Sequence, residues 1–127
     1  LKYLDRYNRS RREAANRYDE ALARCDMISI PRRMPYSSHI FHQYTIKIKN
    51  GKRDELKKYL EEKKIPSMVY YPVPLHMQEA YRYLGYRDND FPVTSALCPE
   101  VLSLPMHPEL DKEQTDYITQ SILKFFE

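Results

Sequence analysis

His39-Ile-Phe-His-Gln-Tyr-Thr-Ile-Lys-Ile-Lys49 is the stretch on which the fold turns. Ile40, His42, Tyr44, Ile46 and Ile48 fall on one side of a period-two alternation. Phe41, Gln43, Thr45, Lys47 and Lys49 fall on the other. The alternation predicts a half-buried β-strand, and the two lysines set its far end in solvent.

Moving outward, Asn50-Gly51 marks a turn, and Arg53 to Lys63 has the spacing of a helix with Leu56, Tyr59 and Leu60 facing inward. Ile65-Pro66 ends that helix, and Ser67 to Tyr71 reads as a further strand. Strand, helix, strand with short links implies parallel strands and a right-handed crossover, whether the strands are neighbours or have another between them. Upstream, Met27-Ile28-Ser29-Ile30 is a short strand closed by Pro31. Residues 1–24 read as one amphipathic helix with Leu1, Leu4, Tyr7, Ala14, Tyr18 and Leu22 on its stripe, interrupted by Arg11. No capping signal precedes that helix, so it reads as severed from something before it.

Downstream, Pro72-Val73-Pro74 forms a rigid loop, because its prolines fix the backbone and remove donors. It opens onto a short helix, His76 to Leu84, with Met77, Ala80, Tyr81 and Leu84 as inner face and Gly85 as terminator. Asp88 to Asp90 is a loop, Phe91-Pro92 starts another helix, and Pro99 shortens it. Leu102 to Pro108 is extended. Asp111 and Gln114 make a capping box for a last helix whose apolar face is Tyr117, Ile118, Ile122 and Phe125. The fold class is therefore α/β in the broad (α+β) sense: a single domain, residues 1–127, with a small sheet flanked by helices on one or both faces.

Composition narrows the functions. The chain of 127 residues is 42% hydrophobic and 31% charged, a globular balance. No apolar run reaches membrane-spanning length and no signal-peptide pattern is present, so a soluble cytoplasmic protein is expected. A net charge of +3, spread along the chain, gives no nucleic-acid footprint. The principal strand also places Tyr44 opposite its lysines, which argues against an RNA-binding sheet. Two glycines are too few for a Gly-rich phosphate cradle. Cys25 and Cys98 read as free thiols in a reducing compartment.

No complete catalytic set is visible. His39 and His42 leave a strand on opposite faces, and His76 and His107 lie in separate loops, so no metal site is expected. Cys98 precedes a proline and reads as a core thiol. Glu61-Glu62 and Asp88/Asp90 read as solvated carboxylates. The exception is Val69-Tyr-Tyr-Pro-Val-Pro-Leu-His76, where two tyrosines at a strand end, a stiff loop and a histidine present several polar tips together. On chemistry alone this segment suits either a binding loop or a polar turn.

The ordered strings His39-Ile-Phe-His-Gln-Tyr-Thr-Ile46, Arg53-Asp-Glu-Leu56 with Leu60, Ile65-Pro66, Tyr71-Pro-Val-Pro-Leu-His76, Phe91-Pro-Val93 and Leu102-Ser-Leu-Pro-Met-His-Pro108 span nearly the whole chain. In this order they resemble the carboxy-terminal domain of the DegT/StrS sugar aminotransferases. The resemblance implies the small domain of a fold-type I enzyme and a homodimer with active sites at the subunit interface. It also implies pyridoxal phosphate as amine carrier, passing an amino group, usually from glutamate, to a keto group on a nucleotide-linked sugar. Lipopolysaccharide, capsule and antibiotic-sugar pathways use such products. In that family the Schiff-base lysine and most cofactor contacts lie in the large domain, so this chain alone is expected to bind no cofactor and not to transaminate.

The resemblance places Tyr70, Tyr71 and His76 near the substrate and matches His39 and His42 to motif positions. The sequence departs from the family in three places. Tyr70 stands where many relatives have histidine, Lys64 stands where the helix exit is commonly Gly, and Pro99 replaces a helix former. The competing reading is a stand-alone ligand- or protein-binding module without catalysis.

Overall fold

β-Branched and aromatic residues at alternate positions make residues 44–48 a strand, and a computed structural model, which describes residues 1–127, bears this out. The strands are β1 (Ile28–Ser29), β2 (Tyr44–Ile48) and β3 (Val101–Leu104), in spatial order β1-β2-β3. Both pairings are antiparallel, with Ile28 opposite Ile48, and Tyr44, Thr45 and Ile46 opposite Leu104, Ser103 and Leu102. The helices are α1 (Leu4–Leu22), α2 (Arg53–Glu62), the short α3 (Pro92–Leu97) and α4 (Lys112–Phe125).

Tyr44, Ile46, Ile48, Leu102 and Leu104 form one face of the sheet. They are buried with Ala14, Ala15, Tyr18 and Leu22 of α1, Leu56 and Leu60 of α2, and Ile118 and Ile122 of α4. The opposite face presents Thr45, Lys47 and Ser103 and is approached by the segment after Ile65, by α3 and, beside Thr45, by the loop before β2. This α+β arrangement matches the expected class, with its three long helices on one side.

Several local expectations are corrected. The strand begins at Tyr44, and upstream of it the alternation slips by one. Phe41 is buried while Ile40 and His42 are exposed. The reason is a left-handed turn at Phe41 (φ 51°), which swings its ring inward. His39 Nδ1 accepts the Phe41 N–H at 2.9 Å, and the Arg33 guanidinium lies 4.2 Å over the Phe41 ring. Arg11 guanidinium, which interrupts the apolar stripe of α1, donates to the Phe41, His42 and Met106 carbonyls at 3.5, 3.3 and 3.4 Å. It satisfies acceptors that a longer strand would have paired.

Residues 67–71 supply not a strand but one antiparallel bridge, Met68 to Ser103. Proline on both sides, at 66 and 72, leaves too short a run for a ladder. Because β3 lies between, this segment still runs parallel to β2, the non-adjacent arrangement of the two that the sequence allowed.

The helix expected over 76–84 is two 3₁₀ turns, Leu75–Met77 and Glu79–Leu84, split at the extended Gln78 (φ −69°, ψ 143°). Its proposed inner face of Met77, Ala80, Tyr81 and Leu84 is exposed, because no element packs over it. Leu1, Leu4 and Tyr7 are likewise exposed, so α1 enters the core only from Ala14 onward.

Other expectations hold. Gly85 ends its turn in the left-handed region (φ 73°), and Pro92 opens α3. Asp111 and Gln114 cap α4 reciprocally at 2.8 and 3.1 Å. Phe125 packs 5.4 Å from Tyr59 of α2. Cys25 and Cys98 are both free; Cys25 packs against the core, whereas Cys98, expected as a core thiol, is half-buried in the wall of a cleft on the other face of the sheet.

Candidate functional site

The face of the sheet without long helices is where polar side chains gather. β2 and its lead-in put Gln43 and Thr45 there, and β3 adds Ser103. The segment after Pro66 lays Met68, Val69, Tyr70 and Tyr71 along one side, and α3 closes the other with Thr94, Leu97 and Cys98. Together they bound a cleft of about 240 Å³. Tyr70 and Tyr71 stand at its rim, 52% and 75% exposed.

Two further clefts continue it. At one end, sharing Gln43 and Thr45, lies a cleft of about 360 Å³ with His39, Phe41, His42 and Pro31 in its wall. At the other end, sharing Thr94, lies an aromatic cleft of about 330 Å³ formed by Leu75, His76, Tyr81, Leu84, Tyr86 and Phe91. The sequence-predicted residues therefore share one trough but not one cleft. Tyr70 and Tyr71 are in the middle, His76 is at one end and His39 at the other.

His76 stacks at a tilt, 4.7 Å from Phe91, and its Nε2 is buried without a hydrogen-bond partner. A buried imidazole nitrogen in a largely apolar wall can donate to or accept from a group that enters the cleft. His39 is differently employed, since its Nδ1 already accepts a backbone N–H. His107 lies apart, 3.6 Å from Glu109. No group of three or more His, Cys, Asp or Glu could hold a metal ion.

Sequence reasoning missed the ionic supports beneath the trough. Tyr44 hydroxyl donates to Asp19 Oδ1 at 2.5 Å, and Arg33 Nε donates to Asp19 Oδ2 at 2.8 Å. Burial and the Asp19 carboxylate raise the Tyr44 phenol far above its ordinary value. Burial does the same to Tyr18, whose hydroxyl donates to the Pro105 carbonyl at 2.9 Å. Asp19 thus clamps Arg33 of the 31–43 loop and Tyr44 of β2 onto α1, and the Tyr18 bond ties α1 to the segment after β3. On the other side, buried Arg53 donates to the Cys98 and Val101 carbonyls at 3.1 and 3.3 Å, anchoring the return from α3 into β3. An acid one residue after an inward tyrosine, as at Asp19, was the one available signal. Arg53 gave none, because a basic first helical residue ordinarily faces solvent.

Fold and clefts together define a small α+β domain whose sheet face away from the long helices carries polar and aromatic groups. The chain belongs to the DegT/DnrJ/EryC1/StrS aminotransferase family, whose profile matches residues 1–123. It is 41% identical over 126 residues to the pleiotropic regulatory protein of Geobacillus stearothermophilus, covering 98% of this chain and 33% of that protein. It is 39% identical over 112 residues to UDP-N-acetyl-3-dehydro-alpha-D-glucosamine 3-aminotransferase of Acidithiobacillus ferrooxidans, covering 88% of this chain and 29% of that one. The crystal structure of DesV from S. venezuelae superposes with a TM-score of 0.94 at 29% identity, over 100% of this chain and 34% of DesV. The chain thus spans about a third of the length of the relatives it matches.

The family's aminotransferases depend on pyridoxal phosphate, and the residues of these three clefts do not make a site for it. None of the three clefts has a lysine, an arginine or a carboxylate in its wall. Gly51 and Gly85 both sit in open turns, where an added Cβ would meet nothing within 4 Å, so neither belongs to a phosphate cradle.

Proposed function

We propose that this chain is the carboxy-terminal small domain of a pyridoxal-phosphate-dependent aminotransferase acting on nucleotide-linked keto sugars. Its task is to cover the sugar nucleotide, with Tyr70, Tyr71 and His76, and at the far end His39, facing the substrate. The carrying observation is a trough that offers hydrogen-bonding tips and aromatic surface but no amine or acid to react. Such a surface binds, orients and excludes water, while the cofactor, held by the rest of the polypeptide, supplies amine-carrier chemistry.

Relatives support the substrate class. One is named for a UDP-linked dehydroglucosamine, another for a dTDP-linked amino-dideoxygalactose and a third for spore coat polysaccharide biosynthesis. No helix is long and apolar enough to cross a membrane. We assign the whole enzyme to the cytoplasm as a homodimer, with glutamate as amino donor.

The test is to express the full reading frame that contains this chain and follow amino transfer from glutamate to UDP- and dTDP-linked keto sugars. The full polypeptide should transfer, and the 127-residue chain with added pyridoxal phosphate should not. A borohydride-trapped adduct at one specific lysine of the isolated chain would defeat the assignment.

A further inference from the structure

Thr45 and Ser103 face each other across β2 and β3, and their hydroxyl oxygens lie 2.8 Å apart. Such a cross-strand pair is ordinary in a sheet. Its position is not, because it floors the central cleft beneath Tyr70 and Tyr71. Ser103 is only 7% exposed although no long helix packs on its face. Two hydroxyls carry two hydrogens, and the bond between them uses one. The other hydrogen is free to turn toward the cleft, and the exposed Gln43 carboxamide stands in the same wall. All these groups are neutral and can both donate and accept.

We infer that Gln43, Thr45 and Ser103 form a hydrogen-bonding subsite for the uncharged, hydroxylated ring of the ligand. The inference rests on the nucleotide-sugar reading above and deepens it. A sugar hydroxyl donates and accepts at once, which is the complement of a hydroxyl or a carboxamide. A diphosphate is acceptor-only and charged, and calls for Arg, Lys or several N–H groups. The cleft has no cationic side chain. The floor therefore reads the sugar ring, and the diphosphate is held elsewhere.

The experiment uses the full-length polypeptide with a UDP-linked keto sugar as varied substrate and UDP as competitive inhibitor. Thr45→Val and Ser103→Ala should each raise KM for the nucleotide sugar about fivefold, the scale of one neutral hydrogen bond. Inhibition by UDP should stay unchanged, and Lys47→Ala, on the same face but outside the cleft wall, should leave KM unaltered. Valine replaces threonine at equal size and with good strand propensity, so the fold is retained; far-UV circular dichroism checks this. Unchanged KM in both floor variants would overturn the subsite while leaving the aminotransferase assignment standing. Weaker UDP inhibition in step with KM would overturn the assignment of the floor to the ring. A wild-type polypeptide that transfers no amino group to any nucleotide sugar would remove the function itself.

Discussion

The segment from Pro66 to Glu100 and the rest of the chain are built on opposite terms. Every one of the 22 buried residues lies outside that segment, which buries none of its own. Yet it is not polar: Tyr70, Tyr71, Leu75, Tyr83, Phe91 and Val93 all expose large apolar surface. Outside it, burial of apolar area drives folding. Within it, prolines, 3₁₀ turns and one β-bridge hold the chain in place, and its apolar side chains remain available to something beyond this chain. The contrast separates what makes the domain fold from what makes it useful.

The comparison breaks most directly at Ile46. This residue is fully buried at the centre of β2. Ile46→Ala should cost about 2–5 kcal/mol through lost burial and the cavity left behind. Urea denaturation followed by circular dichroism measures it. A loss below 1 kcal/mol would mean that the sheet is not the centre of stability.

A smaller effect is expected at the clamp joining the 31–43 loop to α1. Asp19→Ala leaves the buried Tyr44 hydroxyl without its acceptor and should cost about 1–3 kcal/mol. The same buried phenols respond to alkali. Tyr18 and Tyr44 hold their protons in the folded protein well above the ordinary value of 10.0. The unfolded chain releases them near that value, so it binds fewer protons there and stability falls as pH rises above about 10. Below that pH both states are protonated and the contribution is constant. Spectrophotometric titration should show the Tyr18 and Tyr44 phenols ionising only together with unfolding.

Legibility followed the same division. Helices and strands with a periodic apolar face were readable because periodicity records burial, as at Leu56 and Leu60 or Ile118 and Ile122. Phe41 escaped, since one left-handed residue shifts the alternation and no local propensity announces it in a phenylalanine. The 76–84 stretch has helical spacing but lacks a partner to bury it, and spacing without a partner yields only turns. At the site, the tyrosines and histidines announced themselves as polar tips near stiff loops. Thr45 and Ser103 did not, because each is an unexceptional outward residue until the register sets them opposite one another.

Lys64 sits at the boundary between the two regions. The Ile65 N–H bonds the Leu60 carbonyl and the Lys64 N–H bonds the Glu61 carbonyl, both at 2.9 Å, the pairing of a helix stop that places Lys64 in the left-handed region (φ 62°). Leu60 and Ile65 are both buried and close the stop with an apolar contact. Lys64→Gly relieves the Cβ strain but adds freedom to the unfolded chain, for an expected net gain of about 0.5–1 kcal/mol. Thermal unfolding should register it as a modest rise in Tm, and a fall would show that the lysine stem packs against something worth keeping.

The smallest change belongs inside the excursion. Tyr83 is 80% exposed in the second 3₁₀ turn and makes no side-chain hydrogen bond. Tyr83→Ser should therefore shift unfolding free energy by less than about 0.5 kcal/mol, within the range of ordinary surface substitutions. An exposed tyrosine in a region that buries nothing has no role in folding this chain. If stability drops by 1 kcal/mol or more, the excursion is packed more tightly than its exposure indicates, and its apolar side chains serve this domain rather than a ligand or the rest of the enzyme. If stability holds while the full-length polypeptide loses affinity for the nucleotide sugar proposed above, the division between a folding half and a binding half is correct at the level of a single side chain.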